Sequence, residues 1–131
     1  METRDARNLA AIGRLSAGFA HHDVDEILDC FADDGIFEIT EGPDPWGERF
    51  QGKPAVRAAL ETLFKTLPDV QFTEAVNWVA GDRGVSEWTC VATTPKGRSL
   101  RVRGCDLFEF RDGLITRKDS YFKRLVRRDS A

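Results

Sequence analysis

Three carboxylates occupy positions from which they could share a chemical site: Asp106, Asp119 and Glu41. Asp106 opens the run Asp-Leu-Phe-Glu-Phe, in which strand alternation puts it on the same face as Phe108 and Phe110. If that face is buried, the carboxylate must be paired, hydrogen-bonded or protonated, because an isolated buried charge is costly. If the face lies at the open end of a sheet, Asp106 is solvated instead. Both alternatives remain open at this point.

The sequence Asp112-Gly113 predicts a β-hairpin, since Asp-Gly accepts the positive φ angles of a type I′ turn. With a two-residue turn and no irregularity, Asp106 lies opposite Asp119, and Tyr121 shares their face. A β-bulge near Thr116 would reverse the alternation and turn Asp119 away from Asp106. The last-strand residues on the face of Asp106 would then be Lys118, Ser120 and Phe122. Both registers fit the mixed polar and apolar pattern of the last strand.

The composition is that of one soluble globular domain spanning residues 1–131. Hydrophobic residues make up 41% and charged residues 31%, and the net charge of −3 argues against a nucleic acid partner. The three cysteines are widely separated, which indicates reduced thiols and a cytoplasmic protein. The N-terminal stretch contains acidic residues and no long apolar run, so we expect neither a signal peptide nor a membrane span.

Hydrophobic periodicity predicts three helices and one early strand, followed by a long run of antiparallel strands. The helices are predicted at Thr3–Ala20, from Asp23 to the stop Asp33-Asp34-Gly35, and from Pro54 to Leu67. The strands are predicted at Gly35–Thr40, Val70–Val79, Val85–Thr94, Arg98–Phe110 and Leu114–Val126. Helices segregated from an antiparallel sheet define an α+β domain. The sequence contains no zinc-ligand spacing, no glycine-rich phosphate loop and no nucleophile elbow.

The loop Gly42–Gly52 has a composition that points to function. Its prolines and glycines interrupt regular structure, yet it carries Trp46 and Phe50, which a merely solvated loop does not need. An aromatic loop beside a strand end often closes a pocket, although the same rings could equally attach the loop to the core. We predict that Trp46 and Phe50 close the mouth of a pocket, with the loop hinging at its terminal glycines.

Four motifs occur in an order that resembles the nuclear transport factor 2-like superfamily, which includes the SnoaL-like cyclases and the ketosteroid isomerases. They are Asp23-Val-Asp with Phe31-Ala-Asp-Asp34, the strand Gly35–Thr40, the segment Gly52-Lys-Pro-Ala-Val-Arg57, and the hairpin strand Gly104–Gly113. The resemblance covers nearly the whole chain. It implies a cone-shaped, strongly bent, mostly antiparallel sheet of about five or six strands wrapped around a long helix. It also implies one hydrophobic pocket and a homodimer formed through the sheet.

The resemblance also assigns roles to particular residues. Asp106 falls where ketosteroid isomerases keep a protonated acid in an oxyanion hole. The tyrosine and the general base of those enzymes fall near Leu15 and Ile39, which argues against steroid isomerisation, whereas SnoaL-like cyclases place a catalytic aspartate where Asp119 lies. The resemblance favours the bulged register, in which Arg117 faces away from Asp106. We then expect Asp106 to be buried without a cation, neutral near pH 7 and able to donate a hydrogen bond.

Two functions remain open. The first is an isomerase, cyclase or lyase that acts by proton transfer on a small apolar carbonyl compound. In it Asp106 donates to the enolate and Asp119 or Glu41 is the base. Such chemistry implies no metal and no organic cofactor. The second is a non-catalytic ligand-binding or dimerisation module of the same fold. The predicted partners are a small hydrophobic ligand and a second copy of the chain, and the predicted pocket walls are Trp46, Phe50, Trp88, Phe108, Tyr121 and Phe122.

Overall fold

A computed structural model describes residues 3–126 and shows three helices and one six-stranded sheet. The helices are α1 (Arg4–His21), α2 (Val24–Leu28) and α3 (Lys53–Thr66). The strands are β1 (Phe31–Glu38), β2 (Arg49–Gln51), β3 (Gln71–Ala80), β4 (Arg83–Thr93), β5 (Ser99–Arg111) and β6 (Leu114–Phe122). The curved, unclosed sheet has the order β2-β1-β6-β5-β4-β3, and only β1 and β6 pair in parallel. The predicted α+β cone is confirmed.

The helix starts follow local capping chemistry. The side chain of Thr3 accepts a hydrogen bond from the Ala6 amide at the start of α1, and Asp23 accepts one from Glu26 at the start of α2. Pro54 lies in the first turn of α3, as predicted. Along α1 the buried stripe is Ile12, Leu15 and Phe19, with Ala11 beside it. Leu9 shares the predicted spacing but is 42% exposed, so it is not part of the core.

The start of β1 differs from the prediction. We expected Asp33-Asp34-Gly35 to end the second helix, but α2 ends at Leu28 and β1 already begins at Phe31. Phe31 is buried in the core, while the two aspartates are exposed where the β1–β6 register shifts between Phe31 and Ile36. The polar residues therefore mark an irregularity within a strand. They imitate a helix stop because both settings favour short polar side chains and glycine.

The hairpin of β5 and β6 has the bulged register. Phe110 pairs with Ile115, but Glu109 pairs with Arg117, so Thr116 is the extra residue. Beyond the bulge Asp106 lies opposite Ser120. The strand ends at Phe122, earlier than the predicted Val126.

The bulge divides β5 and β6 into two faces. We call the side that packs toward α1 the inner face; it carries Asp106 and Phe108 from β5 and Lys118, Ser120 and Phe122 from β6. We call the opposite side the outer face; it carries Leu107 and Glu109 from β5 and Arg117, Asp119 and Tyr121 from β6. The main core joins the inner face to the buried sides of the helices through Ile12, Ile27, Phe31, Val56, Leu60, Phe108 and Ile115. Within residues 3–126, no helix is long and apolar enough to cross a membrane.

Candidate functional site

A cavity of about 610 Å³ lies between the inner face and the helices. Its apolar lining comes from α1, α3 and the inner sides of the strands: Phe19, Phe37, Ile39, Phe50, Leu63, Leu67, Phe72, Trp88 and Phe122. Its polar lining consists of Thr40, Glu41, Glu48, Thr62, Thr66, Lys118 and Ser120. The two glutamates are exposed, whereas Lys118 is only 5% exposed. The cavity therefore has an acidic outer end and a deep end that carries one ammonium group.

The ammonium of Lys118 is fixed by hydrogen bonds to two neighbours. Its Nζ donates to Asp106 Oδ1 at 3.0 Å and to Ser120 Oγ at 2.9 Å. Ser120 Oγ in turn donates to Asp106 Oδ1 at 2.6 Å, and Trp88 Nε1 donates to Asp106 Oδ2 at 3.0 Å. The four side chains form one connected polar cluster, which we call the inner cluster.

Two aromatic faces complete the surroundings of the Lys118 charge. Its Nζ lies 4.5 Å from the ring centre of Phe37 and 5.1 Å from that of Phe19. A cation over an aromatic face is attracted by the ring quadrupole, more strongly where water is excluded. An ammonium carries three N–H donors, and among residues 3–126 only Asp106 and Ser120 accept from it. The third N–H of Lys118 has no acceptor among residues 3–126, and Lys118 lines the cavity.

The expectation that Asp106 lacks a cationic partner is wrong. The bulge does turn Arg117 away, but the same shift by one residue turns Lys118 inward. All three contacts of Asp106 are donated to it, by an indole, an ammonium and a hydroxyl. The group suited to donate a hydrogen bond to a ligand is therefore Lys118, and Asp106 holds it in place.

A small void of about 30 Å³ lies behind the inner cluster. Asp106 and Phe108 line this void, together with Ser16 and Ser86, and neither Asp106 nor Phe108 lines the larger cavity. Its volume is that of a single water site, and its polar lining would satisfy such a water. Asp106 thus faces the cavity through Lys118 and not directly.

The structure places Asp119 and Tyr121 on the outer face, away from the cavity. Asp119 lies 3.4 Å from Arg117 Nη2, and neither Asp119 nor Tyr121 is among the cavity-lining residues. Burial raises the pKa of the Asp119 carboxyl, and hydrogen bonding from Tyr121 partly offsets that rise. The predicted roles of Asp119 as a base and Tyr121 as a pocket wall do not fit this position, because the bulge reverses their orientation.

Asp119 belongs to a second charged group, which we call the outer cluster. Its centre is Glu38, a fully buried carboxylate on β1. Arg49 binds Glu38 Oε2 through Nε at 2.7 Å and Nη2 at 2.6 Å, and Arg117 Nε binds Oε1 at 2.6 Å. Arg117 also contacts Glu109 at 3.0 Å, and this bond, followed by the one to Glu38, raises its pKa. Both oxygens of Glu38 are therefore occupied by guanidinium groups.

The loop before α3 contributes Glu41, Glu48 and Phe50 to the cavity wall. Part of it forms β2, which pairs with β1, so it is less irregular than its composition predicts. Trp46 is not among the lining residues; it is 41% exposed, and the Arg49 guanidinium lies 4.6 Å from its ring centre. The predicted closing role of Trp46 therefore has no support in its position, because the ring packs on an arginine outside the cavity.

Five residues line the cavity without a role predicted from the sequence: Lys118, Glu48, Phe19, Phe37 and Phe72. Lys118 carried a usable signal, since the bulged register puts it on the face of Asp106. Trp88, predicted as a wall, lines the cavity, and its ring makes edge contacts with Phe72 and Phe122 at 4.8 Å and 5.3 Å. Among residues 3–126, no group of three or more histidine, cysteine, aspartate or glutamate side chains is arranged to hold a metal ion.

The fold and the cavity define an α+β cone with a charged deep end. The sequence matches the SnoaL-like domain family over residues 12–118, and the chain belongs to that family. This places it in the nuclear transport factor 2-like superfamily, as the motifs predict. No curated protein matches the sequence significantly.

Several solved structures share this fold. A proposed polyketide cyclase from Xanthomonas campestris pv. campestris is 23% identical, with a TM-score of 0.81 over 92% of this chain and 93% of that one. TerC, co-crystallised with polyporic acid, is 23% identical, with a TM-score of 0.77 over 89% and 92%. A proposed isomerase from Bacillus subtilis is 20% identical, with a TM-score of 0.75 over 89% and 86%. At these identities the likeness establishes the fold alone.

Proposed function

We propose that the protein is an isomerase- or cyclase-type enzyme that acts by proton transfer on a small, apolar carbonyl compound. The observation that carries this proposal is the ammonium of Lys118, held by Asp106 and Ser120 at the buried end of an apolar cavity. Structural neighbours described as polyketide cyclases and an isomerase support the same class of chemistry.

The inner cluster would stabilise the charge that develops on the carbonyl oxygen. Removal of a proton next to a carbonyl leaves an enolate, whose oxygen carries the new negative charge. The remaining N–H of Lys118 would donate to that oxygen, and the contacts with Asp106 and Ser120 fix the ammonium beforehand. A prearranged donor of this kind is worth about 3 kcal/mol of transition-state stabilisation. Lys118 thus takes the donor role that the sequence suggested for Asp106.

Glu41 is our candidate for the base that removes the α-proton. It lines the outer end of the cavity, whereas Asp119 lies on the other side of the sheet. Glu48 lines the same end and is the matched control, because the two carboxylates differ in position and not in kind. For this role the Glu41 carboxylate must reach the α-proton of a ligand whose carbonyl oxygen contacts Lys118, directly or through one water.

Charge balance favours a neutral ligand over an anionic one. Asp106 already neutralises Lys118, so a carboxylate bound beside them would leave one buried negative charge without a partner. Glu41 and Glu48 at the outer end would also repel an anion. The apolar lining suits a ligand that is aromatic or aliphatic around a single carbonyl group.

The test combines a binding screen with isotope exchange. A panel of neutral aromatic and polycyclic ketones is screened by thermal shift, with the matching carboxylic acids as charge controls. The ketones that bind are then incubated with the protein in heavy water, and deuterium at the α-carbon is followed by mass spectrometry. We expect ketones to bind better than acids and to exchange faster than in buffer alone.

Variants identify the residues responsible. Glu41→Gln should abolish the exchange while binding persists, Lys118→Met should lower it strongly, and Glu48→Gln should leave it near the wild-type rate. Binding without exchange in the wild-type protein would show the non-catalytic ligand-binding alternative. If no ketone in the panel binds, the proposed function is wrong.

A further inference from the structure

We propose that Lys118 forms a covalent imine with the carbonyl ligand. This inference rests on the proposed function for its ligand, but it adds a covalent step that hydrogen bonding to the same carbonyl does not require. The structure brings together a primary amine, a proton acceptor and an apolar cavity large enough for a small aromatic carbonyl compound. The chemical class it selects is a neutral aldehyde or unhindered ketone.

The geometry is that of a nucleophile with an adjacent base. One arrangement that activates a nucleophile is a neighbouring base within hydrogen-bond reach that is in turn oriented by a third group. Asp106 Oδ1 lies 3.0 Å from Lys118 Nζ, and Trp88 Nε1 holds the other oxygen of Asp106 at 3.0 Å. Ser120 Oγ, 2.9 Å from Nζ and 2.6 Å from Asp106, connects the two and can relay a proton.

The reaction is balanced without any external reagent. Asp106 accepts one proton from the ammonium, and the free amine attacks the carbonyl carbon. A second proton passes from nitrogen to the former carbonyl oxygen, with Ser120 as relay, which gives a carbinolamine. Asp106 then returns its proton to that oxygen, the C–O bond breaks, and water leaves. The nitrogen keeps its third proton and its positive charge as an iminium.

Electrostatics favours the product as much as the starting pair. The conversion of an ammonium to an iminium leaves one positive charge at the same nitrogen, so Asp106 remains its counter-ion. The faces of Phe37 and Phe19 can stabilise either cation. The ion pair therefore does not disfavour the iminium relative to the ammonium, although it slows the step in which the free amine forms.

An iminium would also serve the proposed proton transfer. Its positive nitrogen withdraws electrons from the α-carbon more strongly than a hydrogen-bonded carbonyl does. Glu41 at the outer end of the cavity would then remove the α-proton from a more acidic carbon. An arginine would meet the need for a cation beside Asp106, but its guanidinium does not form imines, whereas lysine amines do.

The experiment is reductive trapping with site mapping. The full chain is incubated at neutral pH with naphthaldehyde and cyanoborohydride, whose hydride converts an imine to a stable secondary amine. Peptide mass spectrometry then measures labelling at Lys118 and at Lys53, Lys65, Lys96 and Lys123. Naphthylmethanol, which has the same ring and no carbonyl, serves as competitor, and the thermal shift reports binding of either compound.

We expect Lys118 to be labelled at least about tenfold faster than the other four lysines, since it alone has a neighbouring base in a ligand cavity. Naphthylmethanol should suppress that labelling. Lys65→Arg, at an exposed position, should leave it unchanged, and Lys118→Arg should remove it. Asp106→Asn should slow the labelling of Lys118 without abolishing binding.

The outcomes separate the two proposals. If naphthaldehyde binds but Lys118 is labelled no faster than the exposed lysines, the imine is overturned and the hydrogen-bonding role of Lys118 stands. If neither naphthaldehyde nor any ketone of the panel binds, the proposed function fails and this inference fails with it. The wild-type map alone decides between these results, even if a variant does not fold.

Discussion

Neighbouring residues of β6 build two charged clusters on opposite faces of one strand. Arg117 points outward to Glu38 and Glu109, while Lys118 points inward to Asp106 and Ser120. Both clusters centre on a carboxylate with little or no exposure, and both are joined by short hydrogen bonds. They differ in what surrounds them. The outer cluster lies on the face of the sheet away from the cavity, whereas Lys118 and Ser120 of the inner cluster line the cavity.

The difference shows how a structural charge network can be distinguished from a reactive one. In the outer cluster both oxygens of Glu38 are taken by guanidinium groups, which are fixed cations with no nucleophilic role. In the inner cluster the cation is a lysine that keeps an uncommitted donor beside an apolar space. A saturated network contributes to the fold, whereas an incomplete one next to a cavity is available for a ligand.

The largest expected effect is on stability and lies in the outer cluster. Glu38→Ala should destabilise the protein by about 4 kcal/mol, because it removes the carboxylate that neutralises Arg49 and Arg117. Urea unfolding monitored by circular dichroism measures this. Asp34→Ala, which breaks the exposed pair with Arg111, is the control and should have no measurable effect. Equal losses in the two variants would show that burial of Glu38 does not matter.

The inner cluster should show a smaller loss of stability that a second substitution relieves. Lys118→Met keeps most of the side-chain volume but leaves Asp106 as an unpaired buried charge, which should cost about 3 kcal/mol. Adding Asp106→Asn removes that charge while keeping an acceptor for the indole of Trp88, so at least half of the loss should return. Both proteins should show strongly lowered exchange activity. A double variant less stable than the single one would contradict the charge argument.

The order of the three helices and the five longer strands could be predicted from the sequence because it depends on local signals, whereas β2 was missed. Capping residues such as Asp23, the helix-starting Pro54 and the turn Asp112-Gly113 act over a few residues, and the structure follows them. The start of β1 was missed because a strand irregularity and a helix end favour the same residue types, so Asp33 and Asp34 do not distinguish the two.

The site was harder to predict because it depends on register. A shift of one residue at Thr116 exchanges every side chain between the two faces of β6. The bulged register was predicted and put Lys118 on the face of Asp106, but the ion pair between the two was not inferred from it. Glu38 gave no signal, since a glutamate on a strand normally indicates a solvated face. Its burial depends on Arg49, which lies in a loop that we expected to be irregular.

The outer face should also mediate association. On β3 this face carries Val76 and Trp78, since Trp78 pairs with Val85 and Val85 pairs with Leu107. We propose that two copies of the chain pair through the outer face, because it exposes Val76, Trp78 and Tyr121 by 58%, 52% and 52%. Light scattering at micromolar concentration should give twice the chain mass of 14.7 kDa. Trp78→Glu should restore the single-chain mass without loss of helix signal, while Leu9→Glu, at an exposed position on α1, should not. A wild-type protein of 14.7 kDa would refute the proposal.

The smallest expected effect is a pH dependence that arises from Asp119. Burial raises the pKa of this carboxyl, so the native state holds its proton more tightly than the unfolded chain does. Its contribution to stability is therefore fully present in acid, below its ordinary pKa, and is lost as the pH rises through the raised native value. Asp119→Asn resembles the protonated form at every pH. The variant should exceed the wild-type protein in stability near pH 7, and the two unfolding free energies should converge in acid.

Tyr121→Phe tests the cause of that pH dependence. Hydrogen bonding from Tyr121 lowers the pKa of Asp119, so its removal should raise the pKa further. As the pH rises, both proteins should begin to lose stability at a similar acidic pH. In Tyr121→Phe the loss should continue to a higher pH than in the wild-type protein. Urea unfolding at several pH values compares the three proteins. If Asp119→Asn is less stable at neutral pH and the gap closes in acid, the Arg117 contact outweighs burial. In that case the guanidinium of Arg117 would stabilise the ionised Asp119 by more than its burial costs.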